Sequence, residues 1–350
     1  MFRICKNTLI VRDSMNLKTK SGGREILIIL TAAVILIILS VAAIGLGSVK
    51  ISIPEVLQAL FHPGEELTAT ESIVRNVRLP RILIAVFVGM ALACSGCIIQ
   101  AVMRNPMADP GIIGVSSGAS FVTILVMLVF PSLYRSIPLF SFLGAVLACI
   151  VISALAYVNN TLSSARLILA GVAVNSIFGA GTSIISVLHS DELGGVIMWL
   201  NGSLVGKSWN DARLLIPYLT VGLILAVFCI PTANILQLGD ENARSLGVNL
   251  DRSRLLLTLL GAFLAGITVS FVGIIGFVGL VIHHVSRMLV SSDYKYMMPL
   301  SVVLGGILLL LADTCARTLF MPTELPVGSL IAIVGGPFFI YLLRKSQKVQ

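Results

Sequence analysis

Charged side chains are scarce in this 350-residue chain. Asp, Glu, Lys and Arg make up 11% of it, whereas hydrophobic residues make up 57%. A soluble globular domain carries about 25% charged residues. Together with a mean hydropathy of +1.02, this scarcity excludes an ordinary soluble protein and predicts a chain that lies mostly in a lipid bilayer.

Motifs that bind or hydrolyse nucleotides are also missing. The segment GSLVGKS at 202–208 has one residue too few between its glycines for a phosphate-binding loop, and no strand is predicted before it. There is no nucleophile elbow, no zinc-binding helix motif and no carboxylate pair inside an apolar stretch. We therefore expect no catalytic residues, and any ATP that drives this protein is hydrolysed by another subunit.

Cysteine and histidine patterns predict neither a metal site nor a cofactor. Cys94 and Cys97 form a C-x-x-C in the middle of an apolar stretch, where small packing residues are the better interpretation. Of the four histidines, His62 and His189 lie outside the apolar stretches, whereas His283 and His284 adjoin the end of one. These positions indicate no common site.

Uncharged stretches of membrane-spanning length recur along the chain. The hydrocarbon core of a bilayer takes about 20 apolar residues per helix. The stretches without Asp, Glu, Lys or Arg are 26–49, 82–103, 111–134, 136–165, 167–190, 214–239, 255–286, 297–312 and 325–343.

The stretch 255–286 is too long for one helix, and its division fixes the topology. Division near residues 270–273 gives about ten transmembrane helices and puts both termini on the same side of the membrane. With the N-terminus in the cytoplasm, two thirds of the 24 lysines and arginines are cytoplasmic, in agreement with the positive-inside bias. We predict an all-α polytopic protein of the bacterial cytoplasmic membrane with both termini cytoplasmic.

The charge distribution also divides the chain into three parts. Residues 1–24 form a basic tail that lies against anionic lipid, residues 25–343 form the transmembrane domain, and residues 344–350 form a second cytoplasmic tail. The first apolar stretch exceeds the roughly 7 to 15 residues of a cleavable signal, so we predict an uncleaved helix. No basic stripe alternates with aromatics, and nucleic-acid binding is not expected.

A stripe of small and polar residues runs along the stretch 167–190. Gly171, Asn175, Gly179, Thr182 and Ser186 recur at helical spacing. Polar residues inside a bilayer either bond a neighbouring helix or line a wet pathway, and the spacing leaves both alternatives open. Most other glycines, including Gly114 and Gly118 and those at 273, 276 and 279, are predicted to allow close helix packing.

From Arg78 onward the chain carries an ordered series of motifs. They are RLPR at 78–81, RNPMADPG at 104–111, GVSSGA at 114–119, RLILAGVAVN at 166–175, MWLNGSL at 198–204, LGDENARSLGV at 238–248, GFVGLVIHH at 276–284, ADTCAR at 312–317, ELPVGSL at 324–330 and GGPFF at 335–339. In these motifs the chain resembles the FecCD-like permeases of iron-siderophore and vitamin B12 ABC importers. The resemblance implies a type II ABC importer permease architecture.

The resemblance implies roles at both membrane faces. Arg78, Arg81 and Arg317 are similar to outer arginines that dock a substrate-binding protein, although Arg317 could instead pair with Asp313 one turn earlier. The loop 236–250 looks like the element that couples the permease to its ATPase. Its predicted contact residues are Gly239, Glu241, Ala243, Arg244, Leu246 and Gly247.

The resemblance also implies a route through the membrane. It favours the pathway alternative for Gly171, Asn175, Thr182 and Ser186, and it assigns Asn105, Met107, Ser163 and Ser164 to a cytoplasmic gate, although Ser and Asn in such turns are also plain helix caps. His283 stands where the family usually has proline, which removes a helix-kinking element.

The expected function is that of a transport subunit without an ATPase site of its own. Its expected partners are two ATPase subunits, an extracytoplasmic substrate-binding protein, membrane lipid and a second permease copy or paralogue. The cargo expected from the resemblance is a ferric siderophore, with haem or cobalamin as alternatives. An ion-coupled secondary transporter is the rival class, and the absence of acidic residues well inside a span argues against it.

Overall fold

Helices form nearly the whole fold. The computed structural model describes residues 2–47, 49, 51–61, 68–158, 161–162 and 164–346. The helices in this part are α1 (Phe2–Gly45), α2 (Ile53–Phe61), α3 (Ala69–Ser72), α4 (Leu79–Met103), α5 (Val115–Val129), α6 (Ile137–Ala156), α7 (Ser164–Leu188), α8 (Leu193–Leu200), α9 (Trp209–Gln237), α10 (Asp240–Ser245), α11 (Leu250–Val272), α12 (Val278–Leu289), α13 (Tyr294–Thr318) and α14 (Val327–Ser346). Two-residue strands, β1 (Tyr157–Val158) and β2 (Thr161–Leu162), pair antiparallel between α6 and α7.

The prediction of an all-helical membrane protein is confirmed. Seven helical segments of the described chain are long and apolar enough to cross a bilayer, and three shorter apolar helices accompany them. The long segments are Gly22–Gly45, Ala69–Met103, Pro131–Ala156, Ala165–Leu188, Trp209–Gln237, Leu250–Val272 and Tyr294–Thr318. The shorter ones are Val115–Val129, Val278–Leu289 and Val327–Tyr341.

The long stretch 255–286 divides where the sequence predicts. Helix α11 ends at Val272 and α12 begins at Val278, with Gly273 at a φ of +74° between them. A Cβ on Gly273 would collide with the carbonyl of Trp199. Positive φ and this close backbone contact both favour glycine, so the turn depends on this residue.

Helix α4 lies at the centre of the bundle and touches its neighbours through glycine. Gly89 meets the backbone of Gly305 in α13, and Gly96 meets the backbone of Gly279 in α12. Small residues let helices approach closely in lipid, where no hydrophobic force drives them together. Gly118 of α5 packs in the same way on Gly144 of α6, as predicted for Gly118 and Gly279, whereas Gly276 has open space around it.

The bundle has two ends, which we call the arginine end and the α10 end. Arg81, at the start of α4, and Arg317, near the end of α13, lie at the arginine end. At the α10 end, the carboxylate of Glu25 accepts a hydrogen bond from the backbone N–H of Ser291 (2.9 Å). The bilayer-length part of α1 therefore starts at the α10 end. Helix α14 runs beside α12 toward the same end, as the 6.0 Å ring contact of His284 with Phe338 indicates.

The segment before α4 is helical, which the sequence interpretation missed. Thr68 and Glu71 form a capping box that starts α3, and a π-helical turn, Ile73–Arg78, connects α3 to α4. Helical structure thus continues from Ala69 to Met103, well before the predicted start of the span. At the chain ends, α1 runs through residue 24 and α14 extends to Ser346, so the predicted boundaries at 24 and 343 fall inside helices.

Candidate functional site

A buried ion-pair cluster lies at the arginine end. Arg81 donates from Nε and Nη2 to one oxygen of Asp313 (3.0 and 2.9 Å) and from Nη1 to Glu324 (2.8 Å). Arg317 donates from Nε to the other oxygen of Asp313 (3.1 Å). Asp313 is fully buried, and two guanidinium groups share its charge.

The third predicted docking residue, Arg78, binds carbonyl groups instead. Its guanidinium donates to the backbone oxygens of Ile44 and Val49, and Arg317 similarly reaches the oxygen of Leu46 (3.1 Å). These bonds tie the end of α1 and the chain after it to α4 and α13. Arg78, Arg81 and Arg317 are therefore brought together as predicted, but all three side chains are buried and already hydrogen-bonded.

Together with Arg78 the cluster carries one positive charge in excess, because Asp313 and Glu324 balance Arg81 and Arg317 while Arg78 binds only carbonyl groups. Beside it lies a cavity of about 230 Å³ whose lining includes all three arginines. The remaining lining residues are Gly47, Val49, Ile73, Val77 and Glu324. An acidic side chain that enters this cavity would meet an uncompensated guanidinium.

The predicted coupling segment forms a short exposed helix at the other end. Gly239, at a φ of +94°, precedes α10, and Gly247, at a φ of +78°, follows it. Glu241 and Arg244 are exposed, and the side chain of Leu246 is 61% exposed. Ala243 is fully buried, so it packs against the chain itself instead of forming part of the exposed surface that we expected.

Asp240, which the sequence interpretation did not single out, joins three elements at this end. Its Oδ1 forms an ion pair with Nη2 of Arg104 at the end of α4 (3.0 Å) and accepts a hydrogen bond from Nη2 of Arg254 in the first turns of α11 (2.8 Å). Arg104 lies 136 positions before Asp240 in the chain. No local spacing rule could have paired them.

The predicted gate residues are partly described. Asn105 Oδ1 accepts from the backbone N–H of Met107 (2.9 Å), so Asn105 caps the turn that follows α4. Asp109, further along this turn, accepts from the N–H of Gly111 (2.8 Å), and burial raises the pKa of its carboxyl group above the usual range. Ser163 lies outside the described residues, and Ser164 is the first residue of α7.

The polar stripe of α7 divides between two faces. Gly171 is buried, and Asn175 donates to the oxygen of Gly111 before α5 (3.2 Å) and accepts from the hydroxyl of Ser117 in the first turn of α5. Thr182 and Ser186 are half-buried. The exposed face instead carries Val172, Ser176, Gly179, Ser183 and Val187.

Of these, Ser176 and Ser183 were missed, although they recur at the same helical spacing as the predicted residues. Both hydroxyls donate to carbonyls one turn earlier, at 2.8 and 3.0 Å. A serine that bonds its own helix presents little free polarity. This strip of α7 is therefore uncharged and made of small and medium-sized side chains, and beside it lies an exposed apolar strip with Ile177, Ile184 and Leu188.

A polar cavity of about 150 Å³ lies next to the turn after α4 that holds the predicted gate residues Asn105 and Met107, which we call the gate turn. Its floor is formed by buried Gln100, His283 and Tyr294, and exposed Arg104 and Arg287 stand at its rim. His283 lies within the unbroken helix α12, and its Nδ1 is 3.2 Å from Sγ of Cys97. Histidine in place of the usual proline thus fills the space between α12 and α4.

The segment that narrowly fails as a phosphate-binding loop has a packing role. Gly202 adopts a φ of +66° and lies against the carbonyl of Ile274, and its own oxygen accepts from the N–H of Gly328 (3.3 Å). It therefore joins the α11–α12 connection to the start of α14.

Comparison with known proteins identifies the family. The FecCD transport family matches residues 35–345. The Fe(3+)-citrate import system permease protein YfmE of Bacillus subtilis is 37% identical over 96% of this chain and 100% of its own length. The hemin transport system permease protein HmuU of Yersinia pestis is 38% identical over 90% and 94%, and the cobalamin import system permease protein BtuC of Halobacterium salinarum is 40% identical over 78% and 73%.

A solved structure supports the same assignment. A protein described as a metal-chelate type ABC transporter in an inward-facing conformation superimposes with a TM-score of 0.77 at 31% identity, over 92% of this chain and 99% of that one. Family match, full-length relatives and shared architecture agree with each other. The chain belongs to the FecCD transport family and is a membrane-spanning permease subunit of an ABC importer.

Proposed function

We propose that this permease imports ferric siderophores into the cytoplasm, with ATP hydrolysed by a separate subunit. The observation that carries the cargo assignment is the match to an Fe(3+)-citrate permease over 96% of this chain and all of that protein. The hemin and cobalamin relatives cover less of the chain, which makes haem and cobalamin the alternative cargoes.

The uncharged face of α7 supports a bulky cargo that must not be held tightly. Ser176, Gly179 and Ser183 expose small surfaces without charge, and conduction requires binding weak enough to release the solute. We assign the pathway to this face, with Thr182 and Ser186 at its edge. Asn175 supports the face from behind through its bonds to Gly111 and Ser117, and Gly171 is buried in the same helix.

A second permease copy, identical or related, completes the pathway in this proposal. Large apolar side chains on α7 and α14 have no partner in the described part of the chain: Ile177 and Ile333 are both 70% exposed. Either lipid or a second permease copy covers these side chains. A pathway that runs between two copies requires that the second copy covers them. A dimer places the two α7 faces opposite each other.

The two ends of the bundle take different partners. We assign the α10 end to the cytoplasm, where Leu246, Glu241 and Arg244 contact the ATPase while Gly239 and Gly247 set the ends of the helix. The arginine end faces outward, and its excess positive charge attracts acidic residues of the substrate-binding protein. Such charge pairs govern orientation and association rate more than affinity.

The experiment is cargo uptake into proteoliposomes that contain the permease with its ATPase and are supplied with the binding protein. Radiolabelled ferric siderophores, ferric citrate, haem and cobalamin are compared with ATP inside. We expect uptake of a ferric siderophore that requires ATP. This uptake should continue when ionophores have dissipated the ion gradients. Uptake of haem or cobalamin alone would show that the proposed cargo is wrong. Uptake driven by an ion gradient without ATP would indicate a secondary transporter.

A further inference from the structure

We propose that Asp240 is a positioning residue that transmits movement of the ATPase-contacting helix α10 to the gate turn through Arg104. This inference rests on the proposed contact between α10 and the ATPase. It concerns a connection inside the permease that neither the sequence motifs nor the relatives indicate.

The first step is the geometry of the three charges. Asp240 is the first residue of α10, and its Oδ1 forms an ion pair with Arg104 (3.0 Å) and accepts a hydrogen bond from Arg254 (2.8 Å). The side chain of Arg254 is 7% exposed, whereas that of Arg104 is 38% exposed. Arg254 therefore anchors Asp240 to α11, and the more exposed pair with Arg104 is the one that water can loosen.

The second step is the position of Arg104. It caps the end of α4 in the left-handed conformation, with a φ of +49°, and Asn105 and Met107 form the turn directly after it. A left-handed residue other than glycine is uncommon and marks a point where the chain changes direction. The pair with Asp240 thus holds the residue at which α4 becomes the gate turn.

The third step concerns the two elements that meet at Arg104, namely helix α4 before it and the gate turn after it. Helix α4 is packed on all sides, so displacement of its end reaches the rest of the bundle through a rigid element. The polar cavity of about 150 Å³ is lined by Arg104, Asn105 and Pro106, and it gives the gate turn room to move relative to α12 and α13. Asp240 lies between the ATPase-facing helix and this movable turn.

Loss of the carboxylate should uncouple the two processes. Without Asp240, α10 still presents Leu246 and Arg244 to the ATPase, because both are exposed on the helix surface. The gate turn, however, no longer follows α10. ATP hydrolysis should then continue while transport falls.

The test uses the complete complex of permease, ATPase and binding protein in proteoliposomes. Asp240→Asn, Arg104→Gln and the double variant are compared for ATP hydrolysed per cargo molecule transported. We expect about a tenfold rise in this ratio for each single variant, and the same rise in the double variant, because residues that act through one another are not additive. Arg252→Gln, which removes an exposed arginine from the first turn of α11, is the matched control and should leave the ratio unchanged.

Three outcomes would overturn the inference: an unchanged ratio, effects of Arg104→Gln and Asp240→Asn that multiply, or parallel loss of hydrolysis and transport in correctly assembled complexes. Copurification of each variant with the ATPase is measured alongside. If the wild-type complex imports none of the cargoes tested, this result contradicts the proposed cargo and does not bear on the role of Asp240. If deleting the exposed surface of α10 leaves the ATPase bound, the proposed contact fails.

Discussion

Arg81 binds one carboxylate oxygen of Asp313 through two of its nitrogens, although the residues are 232 positions apart in the chain. The acid is fully buried and also binds Arg317. This cluster joins the start of α4 to the end of α13 at the arginine end. The cluster therefore stabilises the fold in the first place. Docking of an acidic partner depends on the one positive charge that Asp313 and Glu324 do not balance.

Asp313→Asn should strongly destabilise the permease. It leaves two buried guanidinium groups without their shared charge, and removal of one partner from a buried pair costs about 3–5 kcal/mol. The measurement is the melting temperature of purified protein in detergent. Glu324→Gln is the control: its side chain is 36% exposed, and it should cost about 0–1 kcal/mol. Equal effects of the two substitutions would contradict the assignment of Asp313 as the centre of the cluster.

Arg78→Gln should weaken docking of the substrate-binding protein. Of the three arginines in the cavity lining, Arg78 binds only carbonyl groups, so its charge is the one that Asp313 and Glu324 do not pair with. We expect the association rate to fall about tenfold at low salt, because electrostatic complementarity between two partners acts mainly on association. Surface plasmon resonance with the reconstituted permease measures it.

Two controls accompany this variant. Arg78→Lys keeps the charge and should restore most of the rate. Arg135→Gln removes an exposed arginine between α5 and α6 and should change little. Arg81 is a poorer test site because its removal also breaks the Asp313 cluster. Unchanged association for Arg78→Gln would leave the arginines with the structural role alone.

Leu246→Asp should weaken binding of the ATPase. The side chain is 61% exposed next to α10. Loss of an apolar anchor at the centre of an interface reduces the binding free energy by about 2 kcal/mol or more. Copurification of the two subunits measures the effect. Asn242→Asp adds the same charge to the same exposed helix without removing apolar surface, and it should bind nearly normally. Full copurification of Leu246→Asp would place the ATPase contact elsewhere.

Gly179→Leu should block transport without harming the fold. A Cβ at this position meets nothing within 4 Å, so the isolated chain tolerates a larger side chain, whereas a pathway along the exposed face of α7 does not. Cargo uptake and melting temperature are measured together. Gly194→Leu changes a helical glycine of α8 that also has open space around it, and its uptake should remain normal. Normal uptake by Gly179→Leu would move the pathway to another face.

Cysteine labelling tests the orientation. Glu65 lies outside the described residues, so Gln58 in α2 serves as an exposed site near the arginine end. In a background without native cysteines, Gln58→Cys should react with an impermeant reagent in intact cells, and Asn242→Cys only after permeabilisation. Reaction of Asn242→Cys in intact cells would reverse the assigned orientation.

The sequence predicts the helices better than it predicts the pairing of charges between them. The division of 255–286 follows from length and glycine alone, because a bilayer limits how many apolar residues one helix can use. The pair of Arg317 with Asp313 could be predicted, because the two residues are four positions apart in one helix. The bonds of Asp313 to Arg81 and of Asp240 to Arg104 depend on how distant helices pack, and no local periodicity encodes that.

Small residues proved the hardest to place from sequence. Ala243 was expected on the ATPase-facing surface and is buried, whereas Ser176 and Ser183 were overlooked and are exposed. Alanine, serine and glycine suit both close packing and an open surface in lipid. Their composition alone cannot say which face of a helix meets its neighbour.

The glycine contacts of α4 limit which parts of this protein can change shape. Where Gly89 meets Gly305 and Gly96 meets Gly279, the helices touch backbone to backbone, and no layer of side chains is present that could change rotamer to permit sliding. Helices α4, α12 and α13 therefore form a stiff block. The conformational changes of a transport cycle fall instead to the sparsely packed α7 and to connections outside the block, such as the gate turn after α4.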